Sequence, residues 1–198
     1  MHDIALIVFV RNPEIGKVKT RLAKVIGDEK ALQVYNLLLA HTRQITTPLT
    51  CRKFIYYADG IPEHDSWTDQ GYTKRQQFGD DLGQRMANAF RELFDQGFKR
   101  VLIIGSDCYQ LQTDTIEDAI KRMDNYEAVI GPTYDGGYYL LGLNRFTPEL
   151  FTDKAWSTDQ VCKQTTEDLN RLDLSFYLLD QLHDVDEAAD LEVNGIII

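Results

Sequence analysis

The chain is short of the residues that define several classes of protein. Only three of its 198 residues are cysteine, Cys51, Cys108 and Cys162, and they lie far apart. That excludes a disulfide framework and the paired spacing of a zinc site, and points to a reducing cytoplasm. Histidine is as scarce, at four scattered positions. Positive charge is outweighed: 21 Lys and Arg face 31 Asp and Glu, a net of −10. Such a balance argues against nucleic acid or a membrane surface as a general partner. No apolar run approaches the ~20 residues of a membrane span. No basic, cleavable leader precedes the first apolar run. No repeat, low-complexity tract or linker breaks residues 1–198, which read as a single α/β domain with room for a substantial core.

What is present alternates between two periods. The nearly continuous apolar run IALIVFV (4–10) predicts a central parallel strand covered on both faces. Further strands are expected at 53–58, 72–78, 100–107, 128–132, 138–143 and 175–179, with 72–78 an outer one. Helices are expected at 28–45, 81–97, 113–123 and 158–170. Asp28 suits the cap of the first, and Leu32, Tyr35, Leu38 and Leu39 form its apolar stripe. The second ends at Gly97, with Met86, Ala89, Phe90, Leu93 and Phe94 on one face. Residues 59–71 read as loop. Strands alternating with helices predict a parallel-rich sheet with helices on both sides. In such sheets ligands sit beyond the carboxyl ends of the strands, which selects the loops 11–21, 76–85, 105–109 and 131–138.

The first of these loops is basic in an acidic chain. Pro13 and Gly16 shape it, and Arg11, Lys19 and Arg21 supply donors for phosphate oxygens. It is neither a Walker loop nor the dinucleotide glycine fingerprint. It equally suits a solvated basic turn. The strand at 100–107 ends in Asp107, where a carboxylate can hold Mg²⁺ or Mn²⁺ beside phosphates; an acid there also caps turns. Cys108 reads as a small buried residue, not a nucleophile. In GPTYDGGYYLLGL (131–143), Gly136 and Gly137 permit close backbone approach or a bend, Asp135 can accept from sugar hydroxyls, and Tyr134, Tyr138 and Tyr139 offer rings. The same residues suit a plain hairpin turn. Asp184 and Asp186 precede an expected helix as metal ligands or as acids at a helix start. The apolar end at 195–198 suits an edge strand or a contact between copies, so a homo-oligomer stays open.

Four motifs together carry a resemblance: R-x-P-x-x-G-x-V-K-T-R-L from Arg11, Q-x-G-x-D-L-G-x-R-M from Gln77, I-G-S-D-C at 104–108 and G-P-x-x-D-G-G-Y-Y-L-L-G-L at 131–143. The chain resembles the nucleotide-diphospho-sugar transferase superfamily, and within it the small bacterial glycosyltransferase-like branch, part of which is named for arsenosugar biosynthesis. VKTRLA (18–23) is also similar to the loop of 2-phospho-lactate guanylyltransferases, and the overall plan to molybdenum-cofactor guanylyltransferases. The likeness runs from Ile4 to Leu191.

The resemblance implies a GT-A, Rossmann-like three-layer α/β/α sandwich with a mostly parallel mixed sheet. It implies Arg11, Gly16, Lys19 and Arg21 near the phosphates, and Gln77, Gly79, Leu82 and Gly83 near the base or ribose. It implies Mg²⁺ or Mn²⁺ at Asp107 and Asp186, with Asp184 the alternative to Asp186. Asp135, Gly136, Gly137, Tyr138 and Trp156 would line the sugar or acceptor pocket, although Trp156 equally suits a buried position. Lys19, Asp107 and Asp135 are the expected catalytic set. Relatives usually read Asp-Cys-Pro where this chain has Tyr109, which predicts a looser metal loop. The implied partners are a nucleotide sugar or nucleoside triphosphate and a small acceptor. Glycosyl transfer is the first expectation. Nucleotidyl transfer with pyrophosphate release is the second, and a nucleotide-sugar-binding protein without catalysis the third.

Overall fold

The computed structural model describes residues 3–67 and 71–198. The expectation about a leader concerns residues 1 and 2, and part of the loop expected over 59–71 falls on residues 68–70; both lie outside the described residues.

Seven strands form one sheet: β1 (Ile4–Val10), β2 (Arg52–Tyr57), β3 (Tyr72–Gln76), β4 (Arg100–Ile104), β5 (Ala128–Pro132), β6 (Tyr138–Leu143) and β7 (Phe176–Leu178). Their order is β3-β2-β1-β4-β6-β5-β7. β1 pairs in parallel with β2 and β4, β2 with β3, and β5 with β7. β6 runs antiparallel to both β4 and β5. The sheet is therefore mixed and mostly parallel, and β3 is an edge, as the sequence predicts. The strands at 128–132 and 138–143 keep their expected bounds.

Strand alternation splits β1 between two cores. Leu6, Val8 and Val10 join Tyr35 and Leu39 of helix α2 (Asp28–Thr46) and Ile116 and Ala119 of α4 (Thr113–Arg122). Ala5 and Ile7 join Met86, Phe90 and Leu93 of α3 (Leu82–Asp95) and Leu169 of α5 (Val161–Arg171). Both faces are covered, which is why the strand tolerates no polar residue.

Three local expectations are corrected. The loop expected over 11–21 ends early, because helix α1 spans Thr20–Ile26. Its N-cap is Lys19 with no side-chain cap, so the usual Ser, Thr, Asp or Asn signal is missing. Gly27, not Asp28, caps α2, and Asp28 opens the first turn, where a carboxylate suits the helix dipole. Residues 194–198 form no strand: Ile196 packs with Leu22, Val34, Leu38 and Val185 beside α6 (Ala188–Val193). A 3-10 turn at Pro148–Phe151 was not expected.

The chain leaves β1 for β2 and β3 on one side, then returns to β4 on the other. That reversal opens a crevice at the carboxyl ends of β1 and β4.

Candidate active site

Position 19 sits in that crevice, one residue before α1. Val18 is buried, and Lys19 holds φ 48° and ψ 45°, the left-handed region. A lysine has no intrinsic reason to adopt this region, and the cost is of order 1–3 kcal/mol. The turn aims its side chain inward. Lys19 Nζ lies 2.8 Å from Asp107 Oδ1 and 2.9 Å from Asp186 Oδ1, and only 5% of the side chain is exposed. Burial opposes the charge, but Asp107 and Asp186 outweigh it and hold the pKa above the usual lysine value. Read from sequence, Lys19 belongs to a surface loop; in the fold it is enclosed.

Two threads bring the acids to it. β4 ends at Ile104, and Gly105 and Ser106 carry the chain out of the sheet to Asp107. β7 continues past Leu178 alongside β5, through Leu182 N donating to Pro132 O and Tyr134 N to Leu182 O. The tail then crosses to the Asp107 loop, where Val185 N donates to Asp107 O at 2.9 Å and His183 N to Gln110 Oε1 at 2.9 Å. Asp186 thus meets a lysine 167 residues upstream. Tyr109, where relatives usually have proline, packs its ring 4.7 Å from that of His41. Cys108 is buried, and burial pushes its thiol up to about 12, as suits a packing residue.

Around this cluster lies a cleft of about 700 Å³. Arg11, Lys19, Arg21, Gln77, Leu82, Asp107, Asp135, Gly137, Tyr138, Trp156 and Asp186 all line it. Arg21 Nη1 is 3.9 Å from Asp186 Oδ2, and Arg11 Nη1 donates to Lys17 O at 3.3 Å. Gln77 Nε2 donates to Tyr56 O at 2.9 Å and Val10 O at 3.3 Å, tying the ends of β2 and β1. Asp135 Oδ1 accepts from Thr133 Oγ1 and from Gly137 N at 3.0 Å, leaving the other oxygen uncommitted by these bonds.

Four expected residues do not line the cleft: Gly16, Gly79, Gly83 and Gly136. The fold gives three of them, Gly79, Gly83 and Gly136, packing reasons. Gly136 has φ 89°, and a Cβ there would lie 2.1 Å from Asp159 O. A Cβ on Gly83 would lie 2.2 Å from Trp156 Nε1, so this glycine seats the tryptophan against α3. A Cβ on Gly79 would lie 2.8 Å from Arg85 N, whereas one on Gly16, at φ 74°, would meet Asp28 Oδ2 in ordinary contact at 3.7 Å.

Sequence reasoning underrated Asp184. It lines the same cleft, and burial, then Asp135 and Asp186, raise its pKa to about 6. Tyr35 was read only as apolar stripe, yet its hydroxyl accepts from Arg11 N at 2.8 Å and donates to Arg11 O at 3.1 Å, fixing the start of the basic loop. Ser157 also lines the cleft in a left-handed conformation, φ 63°. The role of Tyr35 has no local signal, since its partner Arg11 lies 24 residues away.

The donor set bears on a metal. Among the described residues, no group of three or more His, Cys, Asp or Glu side chains could hold a metal ion by itself. Two carboxylates converging on one point fit Mg²⁺ or Mn²⁺ arriving with phosphate, because Mg²⁺ commonly takes only one or two protein carboxylates.

The sheet order and the cleft at its switch point define a nucleotide-diphospho-sugar-transferase-like α/β fold. Residues 41–158 match the bacterial family DUF2064, described as uncharacterized proteins conserved in bacteria, and the chain belongs to that family. A crystal structure of a candidate nucleotide-diphospho-sugar transferase from Desulfovibrio desulfuricans G20 is 34% identical, with TM-score 0.90 over 98% of this chain and 86% of that one. More distant likenesses share the fold. CMP:2-keto-3-deoxy-manno-octonic acid synthetase, solved with CTP, is 9% identical with TM-score 0.58, covering 98% of each chain. The 4-diphosphocytidyl-2C-methyl-D-erythritol synthase of Anaerococcus prevotii DSM 20548 is 10% identical with TM-score 0.63, covering 98% of this chain and 94% of that one. No curated protein matches the sequence. No helix among the described residues is long and apolar enough to cross a membrane.

Proposed function

We propose that the protein transfers a group from a nucleotide-activated donor, and that the group is a glycosyl unit passed from a nucleotide sugar to a small acceptor. The observation that carries this reading is the meeting of the basic loop after β1 with the acid after β4 in one cleft, Lys19 Nζ at 2.8 Å from Asp107 Oδ1. Arg11, Lys19 and Arg21 would hold the diphosphate oxygens. Asp107 and Asp186 would hold Mg²⁺ or Mn²⁺, which neutralises charge on a departing diphosphate. Asp135, with one oxygen fixed by Thr133 and Gly137, would present the other to an acceptor hydroxyl and take up its proton. Trp156 would close the wall beside the acceptor. Stabilisation is electrostatic, by fixed charges around the leaving group.

The test is which product forms. Purified protein with Mg²⁺ or Mn²⁺ is first screened by thermal shift against nucleoside di- and triphosphates and sugar nucleotides, since a native-state ligand raises stability. The best donor is then followed for turnover. Release of free nucleoside diphosphate from a sugar nucleotide supports glycosyl transfer. Pyrophosphate release from a nucleoside triphosphate supports nucleotidyl transfer, the second reading, which the VKTRLA loop favours. Binding without turnover of either kind rejects both in favour of a binding protein.

A further inference from the structure

In this protein the place where a cation belongs is filled by the protein's own ammonium. Lys19 Nζ bridges Asp107 and Asp186 at 2.8 and 2.9 Å. The two carboxylates are each close to half exposed, 45% and 42%, whereas the lysine between them is enclosed. The acids therefore still face the cleft while their inner oxygens are taken. The position of the ammonium is imposed from behind: Val18 is buried, Lys19 is held left-handed, and α1 begins at the next residue. The backbone at Lys19 is thereby fixed, which leaves the four-carbon stem as the part through which the ammonium can be re-aimed.

Resting on the nucleotide-binding reading above, we propose that Lys19 and a divalent cation are alternative partners of Asp107 and Asp186, so that the cation enters only with a diphosphate that draws the ammonium away. Charge balance favours the exchange. With Lys19 in place the two acids keep one net negative charge. A divalent ion in its place brings them to zero, and the released ammonium gains the anionic diphosphate as its partner. Without a diphosphate, the ion would have to expel a buried ammonium that has nowhere better to go. The arrangement makes cation and diphosphate binding strongly coupled, and by linkage each raises the other's affinity by the same factor.

The experiment is a titration of metal-free protein with Mn²⁺, followed by the electron paramagnetic resonance of the free ion, with and without inorganic pyrophosphate. The proteins are wild type, Lys19→Met, and Arg11→Met as a control that removes an equal charge from the cleft without freeing either acid. Without pyrophosphate, Lys19→Met is expected to bind Mn²⁺ about tenfold tighter than wild type. Arg11→Met should change by a far smaller factor. Pyrophosphate should enhance Mn²⁺ binding more in wild type than in Lys19→Met. Equal affinity in wild type and Lys19→Met overturns the proposal, and so does an equal gain in Arg11→Met, which would make it a general field effect. Should Lys19→Met fail to fold, Lys19→Gln serves, and wild type alone still decides: Mn²⁺ and pyrophosphate binding independently of each other overturns the exchange. Pyrophosphate that binds wild type in no condition sinks the proposed function as well, whereas pyrophosphate binding with unchanged Mn²⁺ affinity in Lys19→Met sinks this inference alone.

Discussion

Two enclosed lysines make opposite clusters. Lys19 is one cation held by two acids, Asp107 and Asp186, on the wall of the cleft. Lys154, only 1% exposed, shares one acid, Asp168, with Arg171, whose Nη2 lies 2.7 Å from it, and none of the three lines the cleft. The second cluster is closed: its acid has more cations than it needs, and they hold its pKa below the usual carboxylate value against burial. In the first, the only further cation in ion-pair range among the described residues is Arg21, largely exposed and 3.9 Å from Asp186, so two acids share one close cation and stay open to solvent. A cluster that serves only the fold can satisfy itself, while one that serves a ligand keeps a deficit for the ligand to fill.

Five variants test that contrast. The largest effect is expected on turnover: Asp107→Asn should lower kcat about 10²–10³-fold with the fold retained, because it removes charge from the site and little from the core. Steady-state kinetics alongside a thermal melt would check it, and full activity would remove Asp107 from the site. Next, Lys154→Met should cost about 2–3 kcal/mol of stability in denaturant melts, since Asp168 keeps Arg171 but loses its buried partner. Activity per folded molecule should be unchanged, and a selective loss of activity would erase the distinction between the clusters.

Third, Gly83→Ala stands between them. Its methyl group would collide with the Trp156 ring. The expected cost is about 1–3 kcal/mol, together with a rise in KM as the cleft wall shifts. A stability loss with unchanged KM would make Trp156 a packing residue only.

The smallest effect is on pH, where the two clusters should slope in opposite directions. Asp184 has a folded pKa of about 6, above its ordinary 3.8. Between those values the folded protein holds a proton that the unfolded chain has lost, so this contribution to stability falls as pH rises through the window. Asp168 is depressed instead, so its contribution is present above the ordinary value and is lost only as pH falls through the lower folded value. In metal-free protein, Asp184→Asn should flatten the decline between about pH 4 and 6, and Asp168→Asn should reduce the loss on the acid side below it. Melts at matched ionic strength measure both slopes.

Much of the architecture was legible because its signals are local. The apolar runs of β1, β5 and β6 declare themselves, and the stripes of α2 and α3 set which face meets the sheet. The carboxyl-end rule then named loops that the fold brings to one cleft. What escaped depends on partners far away in the chain. Helix α1 has a lysine where a capping side chain is expected, because that lysine is committed to Asp107 and Asp186. Gly83 and Gly136 read in the sequence as glycines beside a ligand, and only the fold reveals that Trp156 and the Asp159 backbone occupy the space a side chain would need. Asp184 reads in the sequence only as the alternative to Asp186, and its burial beside Asp135 and Asp186 emerges only in the fold.

The route by which Asp186 reaches its lysine also sets an order of events during synthesis. The basic loop and its helix leave the ribosome first, and Asp107 follows 88 residues after Lys19. The strap that brings the second acid, pinned by Val185 N to Asp107 O, comes 167 residues after the lysine it closes upon. All seven strands among the described residues have been made by then, so a growing chain can bury most of its core while the candidate site is still half built.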